Sequence, residues 1–265
     1  MVLKSSTNKR WRLASKACFA VVFACVLSTA SGQDPALPSP SLTEVWQPVP
    51  PKVDAPAGGV PSDAKVLFAG TDTGAWENAK GGGPIGWKVV DGALVVTPGS
   101  GDIRTREAFG DVQLHLEFRT QTKPKGEGQG ASNSGVFLME RYELQVLDSY
   151  RNKTYVNGQA ASVYKQYPPL VNASRPPGEW QSYDVLFLAP RFAADGRVLA
   201  PARMTVFHNG VLVQHDVALR GSTVYQGQPK YEKHTAKLPL QLQDHGDPVA
   251  FRNIWIRDIA RPVSP

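Results

Sequence analysis

Apolar and polar residues alternate in short runs along most of the chain, and Gly, Pro, Asn or Asp breaks these runs at close intervals. From Lys65 onward the pattern predicts strands at 65–68, 87–90, 93–96, 112–120, 135–139, 142–147, 182–189, 202–209 and 249–259. The clearest is VQLHLEFRT (112–120), which sets Val112, Leu114, Leu116 and Phe118 on one face and Gln113, His115, Glu117 and Arg119 on the other. The first face is core; the second is wet or lines a groove, and His115 reads as a half-exposed surface histidine. Phe207-His208-Asn209-Gly210 ahead of Val-Leu-Val, and Val90-Asp91-Gly92-Ala93, place Asn-Gly and Asp-Gly where two-residue hairpin turns require positive φ. No stretch keeps a helical period over three turns. The fold class is therefore all-β, an antiparallel sandwich or barrel.

The N-terminus follows a different pattern. Lys4, Lys9, Arg10, Arg12 and Lys16 precede an apolar run from Ala17 to Leu27 and then small residues to Gly32. This is the layout of a secretory signal over 1–32, and the run is too short to span a bilayer comfortably. Residues 33–62 form a segment with eight prolines that reads as an extended linker, ahead of a domain over 63–261. Of the formal net charge of +6, the leader carries five, leaving +1 for the mature chain. That removes the electrostatic case for nucleic acid. Both cysteines, Cys18 and Cys25, also fall in the leader, so the mature chain has neither disulfide nor thiolate chemistry. The expectation is an exported protein, periplasmic or extracellular and either free or associated with the envelope, with no transmembrane span once the leader is removed.

Chemistry concentrates in two places. YELQVLD (142–148) reads as a strand, yet carries Glu143, Gln145 and Asp148. Strict alternation puts Glu143 and Gln145 together and Asp148 opposite, and a β-bulge after Gln145 would bring all three to one side. The acid, polar, acid spacing resembles the bulged catalytic strand of laminarinase-type glycoside hydrolases, with an amide in the middle position. Near the C-terminus, Gln241, Gln243, Asp244 and His245 gather at a strand end before a turn, the kind of place where loops carry function. Arg252 and Asn253 read as structural, pairing across the final strand. Trp180 and Tyr164 fit either a core or a sugar-stacking role. There is no phosphate-binding glycine loop, serine nucleophile elbow or His-Glu-x-x-His motif, so no nucleotide cofactor is expected.

Taken with NSGVFL (133–138), YELQVLDSY (142–150), PPGEWQSYDV (176–185), VFHNGVLV (206–213) and LQDHGDPVAFRNIWIRDI (242–259), these stretches resemble the 3-keto-disaccharide hydrolase domain family over roughly residues 65–259. One departure is Lys165, where related sequences read glycine; a lysine there would narrow or recharge the site. The resemblance implies a concanavalin-like jelly-roll sandwich of two antiparallel sheets with a sugar cleft on its concave sheet. It also implies an oligosaccharide or glycoside substrate already oxidised to a ketone at C3 of its glucose unit. A C3 ketone acidifies C2–H, so a carboxylate or His can take that proton, the enolate expels the glycosidic oxygen from C1, and water then adds. On this reading Glu143, Asp148 and His245 are the reactive set, and a divalent cation held by the same three would serve as the electrophile at the ketone oxygen. Gln145, Gln243 and Asp244 would orient sugar hydroxyls, and Arg141 would polarise an oxygen or fix a carboxylate. Two other readings stay open: a direct glycosidase using Glu143 with Asp148 as its carboxylate pair, and a non-catalytic lectin-like module.

Overall fold

The computed structural model describes residues 38–259. The leader expected at 1–32, and the start of the proline-rich segment, lie outside the described residues. The described part of the chain up to Pro51 is a unit by itself, with a single 3-10 turn at Pro40–Leu42. In the unit that begins at Lys52, the end of the proline-rich segment closes on itself: Ser62 N donates to Asp54 O (2.9 Å) and Asp54 N to Ser62 Oγ (3.0 Å).

The strands in chain order are β1 (Lys65–Phe68), β2 (Trp76–Asn78), β3 (Lys88–Val90), β4 (Ala93–Val95), β5 (Ile103–Phe109), β6 (Val112–Arg119), β7 (Ser134–Leu138) and β8 (Tyr142–Val146). They continue as β9 (Trp180–Leu188), β10 (Arg191–Phe192), β11 (Val198–Ala200), β12 (Arg203–His208), β13 (Val211–Ala218), β14 (Leu238–Leu242) and β15 (Ala250–Asp258). An eight-stranded antiparallel sheet runs β13-β12-β9-β6-β15-β4-β3, with β1 also paired to β15. A five-stranded sheet runs β2-β5-β14-β7-β8, and β10 and β11 make a small ribbon. Among the described residues the only helical turns are 3-10, and no helix is long and apolar enough to cross a membrane.

The two sheets face each other across one apolar core, as an antiparallel sandwich must. Strand β6 buries Val112, Leu114, Leu116 and Phe118 and leaves its other face half-exposed, as the alternation predicts. Each such side chain contributes about 2 kcal/mol by leaving water. From the small sheet, Tyr142, Leu144 and Val146 point into the same core, and the Tyr142 ring lies 5.6 Å from that of Phe187 on β9. A polar tie joins the sheets behind β8, where the buried Tyr183 hydroxyl donates to Gln145 O at 2.8 Å. Both expected hairpins form, with Asn209 and Gly210 at φ 54° and 79° and Asp91 and Gly92 at 50° and 73°.

The polar side chains on the outer face of β6 are tied to neighbouring strands. His115 Nδ1 lies 2.7 Å from Asp184 and its ring stacks on Trp255 at 5.3 Å. Arg252 and Asn253 both donate to the Glu117 carboxylate, at 2.7 and 2.6 Å, in the structural role expected of them. Trp180 lies under the guanidinium groups of Arg252 and Arg119, at 4.0 and 4.7 Å from its ring centre.

Candidate functional site

Alternation and register together gather polar residues on the face of the five-stranded sheet turned away from the core. Pairing of Glu143 with Phe137, Phe137 with Gln241, Gln241 with Arg104 and Arg104 with Glu77 makes one row across all five strands. A second row follows two residues along: Gln145 opposite Gly135, Gln243 donating its N–H to Gly135 O at 3.0 Å, and Asp102 just ahead of β5. A cavity of about 290 Å³ opens over these rows. It is lined by Glu143 and Gln145 of β8, Phe137 of β7 with Asn133 before it, and Gln243 and His245 beyond β14. Tyr164, Thr223 and Tyr225 close it from the loops.

Strand β8 is the sheet edge, but its free side is covered. Gln145 N donates to Ser162 O (3.0 Å), Tyr164 N to Glu143 O (3.2 Å) and Glu143 N to Thr223 Oγ1 (3.0 Å). Pairing the edge in this way holds Glu143 and Gln145 rigidly and protects the strand from foreign partners. All five β8 residues are consequently buried.

Glu143 is 4% exposed, and among the described residues no hydrogen bond reaches its carboxylate. Burial, and then the negative charge of Asp102, pushes its pKa up to about 8. The carboxylate leans over Gly135, where an added Cβ would lie 2.9 Å from Glu143 Oε1 and 2.8 Å from the Phe137 ring. Glycine at 135 is what leaves room for it. The result is a poorly solvated carboxylate facing a cavity with its proton affinity tuned toward neutral pH, the profile of a general base.

Around it the site is rich in amides. Gln145 Nε2 donates to Asn133 Oδ1 (3.2 Å) and Gln129 Oε1 (3.3 Å), while the side-chain carbonyl oxygens of Gln145 and Gln243 are buried without a partner. Orphaned acceptors beside a cavity invite donors from a ligand. Asp102 accepts from Gln241 Nε2 and Asp244 N, both at 2.8 Å, and its pKa is raised by burial despite those bonds. Tyr164 and Tyr155 share a 2.6 Å hydrogen bond between hydroxyls, and burial followed by that bond raises the Tyr164 phenol.

Of the seven residues given catalytic or binding roles from the sequence, the structure brings together four, Glu143, Gln145, Gln243 and His245, and Tyr164 joins them in the cavity wall. The other three stand apart. Asp148 does not join Glu143: the β7–β8 ladder stays in register from Leu138 opposite Tyr142 to Ser134 opposite Val146, without the expected bulge, and the strand ends before Asp148. Asp148 instead accepts from Tyr150 N at 3.1 Å and lines a separate cavity with Glu127, Arg151 and Lys153. Glycosidase chemistry on a Glu143 and Asp148 pair is therefore divided between two cavities. Asp244 is a loop tie, accepting from Gly101 N and Gly246 N at 3.0 Å each. Arg141 sits in the turn ahead of β8, outside the cavity lining, and its carbonyl accepts from Thr223 N at 2.8 Å.

The ligand set expected for a divalent cation, Glu143, Asp148 and His245, is split by the same geometry. Among the described residues no group of three His, Cys, Asp or Glu side chains converges to hold a metal ion. The side chains present do not fit the expected cation.

Sequence reasoning missed Asp102, Thr223 and Tyr225. Asp102 had a usable signal, since Asp102 and Arg104 alternate onto one face of β5. That strand went unread because IRTREAF carries three charged residues and only Ile103, Thr105 and Phe109 are buried. Thr223 and Tyr225 lie in a loop that carries no periodicity. Lys165, at the position where glycine was expected, has φ +57°, a conformation glycine adopts freely.

Residues 63–257 match the family model of the 3-keto-alpha-glucoside-1,2-lyase-like domain. A crystal structure from Parabacteroides distasonis, described as a "putative glycosyl hydrolase", is 45% identical, with 85% of this chain and 99% of that one covered and a TM-score of 0.80. A second protein of that bacterium with the same description is 23% identical over 74% of this chain and 94% of its own, with a TM-score of 0.54, a likeness of fold. No curated protein matches the chain. With the match covering the whole sandwich and the site face described above, the chain belongs to the 3-keto-alpha-glucoside-1,2-lyase-like domain family.

Proposed function

We propose that the protein is an exported enzyme that cleaves 3-keto-glycosides by elimination and hydration, with Glu143 as the base. The observation that carries this is a buried carboxylate without a hydrogen-bond partner, its pKa raised to about 8, facing a cavity lined with amides and aromatic rings. Membership of the family supports the substrate class, and the leader-like N-terminus supports export.

In the first step Glu143 takes the proton from C2, and the C–H electron pair becomes the enolate of the C3 ketone. Tyr164, kept protonated by its burial, turns its hydroxyl from Tyr155 to donate to the ketone oxygen. The enolate collapses, the C1–O bond breaks with its electron pair leaving on oxygen, and His245 supplies that oxygen with a proton. Water then adds to C1 of the enone, passing its proton to His245, and Glu143 returns its proton to C2. The sum is hydrolysis. Gln145 and Gln243 take hydrogen bonds from sugar hydroxyls on their unpartnered oxygens.

The test is turnover of a 3-keto-glucoside beside its unoxidised parent, with and without a chelator, by wild type and Glu143→Gln. Expected is cleavage of the keto sugar alone, with kcat lowered about 10³-fold in the variant. Binding of either sugar without cleavage would replace this reading with a lectin-like one.

A further inference from the structure

A second cavity, of about 500 Å³, adjoins the first and shares Tyr164 and Tyr225 with it. Its other walls include Tyr155, Lys165 and Arg220. The Lys165 ammonium donates to Tyr225 O and lies 4.1 Å from the centre of the Tyr225 ring, with the Tyr155 and Tyr164 rings at 5.6 and 5.8 Å. The Arg220 guanidinium stacks 5.0 Å from the Tyr167 ring. Among the described residues neither cation has a carboxylate partner, although twelve other basic side chains do. Two positive charges without carboxylate partners thus share a cavity with partly exposed tyrosines, Tyr225 being 71% and Tyr155 40% exposed.

We propose that this second cavity holds the leaving group of the substrate, and that the leaving group carries a carboxylate or similar oxyanion beside a flat face. The proposal rests on the reading of the first cavity as the place where the keto sugar reacts. With the sugar over Glu143, the group departing from C1 extends past Tyr164 and Tyr225, the walls common to both cavities. There its ring or pyranose face lies on Tyr225 and Tyr155, and its anion meets Lys165 and Arg220. The tyrosines already gather around Lys165, so the ammonium is held in place before any ligand arrives. A neutral leaving group would leave both cations unanswered.

The test compares two 3-keto-glucosides with matched leaving groups, 3-hydroxybenzoate and 3-hydroxybenzamide, on wild type, Lys165→Gly and Lys165→Arg. Glycine suits φ +57°, so the first variant removes the charge without adding backbone strain. The intrinsic reactivity of each substrate cancels when one kcat/KM ratio is divided by another. Removing Lys165 should lower the preference for the carboxylate about fivefold at low salt, the effect of a partly exposed ion pair, and Lys165→Arg should retain it. An unchanged ratio in Lys165→Gly overturns the proposal. If wild type cleaves neither keto-glucoside, the proposed function fails separately. The subsite is then judged by binding of the unoxidised 3-carboxyphenyl and 3-carbamoylphenyl glucosides. Tighter binding of the carboxylate, lost in Lys165→Gly, supports it; equal or absent binding overturns it.

Discussion

A base must lose its proton before it can take another, so the raised pKa of Glu143 sets the acidic side of the activity profile. kcat/KM for a 3-keto-glucoside should climb with pH and level off above about 8. Because burial is the larger cause and Asp102 the second, Asp102→Asn should move that limb to lower pH without returning it to the ordinary glutamate range. A pH profile of the variant that overlays wild type would remove Asp102 from the electrostatics of the site. The same shift acts on stability. A carboxyl whose folded pKa lies above its ordinary 4.5 stabilises the native state fully below that value and loses the contribution as pH rises through 8. Glu143→Gln carries no such charge and should outlast wild type in alkaline solution, by about 4 kcal/mol at pH 9 relative to pH 5. Urea unfolding at the two pH values measures this. A gap that does not grow with pH would mean that water reaches the carboxylate.

At the scale of elements, the hairpin of β7 and β8 is the part on which the site depends. Its turn places Met139 and Glu140 at φ 55° and 56° without a glycine, and Arg141 N closes it onto Leu138 O at 3.2 Å. Two side-chain-bearing residues in this region cost about 1 kcal/mol each, offset by the ladder and by Met139 burial. The ladder brings Gly135 opposite Gln145 and under the Glu143 carboxylate. Gly135→Ala should displace that carboxylate and the Phe137 ring together, and lower kcat about 100-fold while the fold survives. Circular dichroism and steady-state kinetics on one sample would separate the two effects, and wild-type kcat would show that the cradle is slack. The strands of this hairpin were legible because Tyr142, Leu144 and Val146 alternate with Glu143 and Gln145, and because 135–139 is a short apolar run. Strand β5, beyond β14 in the same sheet, was not, since its outward residues are charged and its core side holds a threonine. The position of Asp148 was equally hidden, because a bulge depends on the neighbouring strand and the local spacing of residues does not determine whether it forms.

At the scale of the molecule, the site is tied to the large sheet by one buried cluster. His208 of β12 packs between Tyr183 and Phe118, at 4.9 and 5.9 Å between ring centres, and its Nε2 is 2.8 Å from Gln181 Oε1. Burial, and then the charge of Arg175, lowers its pKa to about 4, so the neutral ring donates to Gln181 through Nε2. Tyr183 in turn holds the backbone of β8 at Gln145. A histidine with a depressed folded pKa stabilises the native state above its ordinary 6.5 and loses that contribution as pH falls through 4. Glu143 acts in the opposite direction between 4.5 and 8, so together these two groups favour a stability maximum near pH 6. His208→Gln should cost about 2 kcal/mol at pH 7 through lost packing, and that deficit should shrink by a similar amount as pH drops from 6.5 to 4. Denaturant unfolding of both proteins across that range decides it. Parallel curves would show that the ring is charged in the native state and that acid does not loosen the site through it.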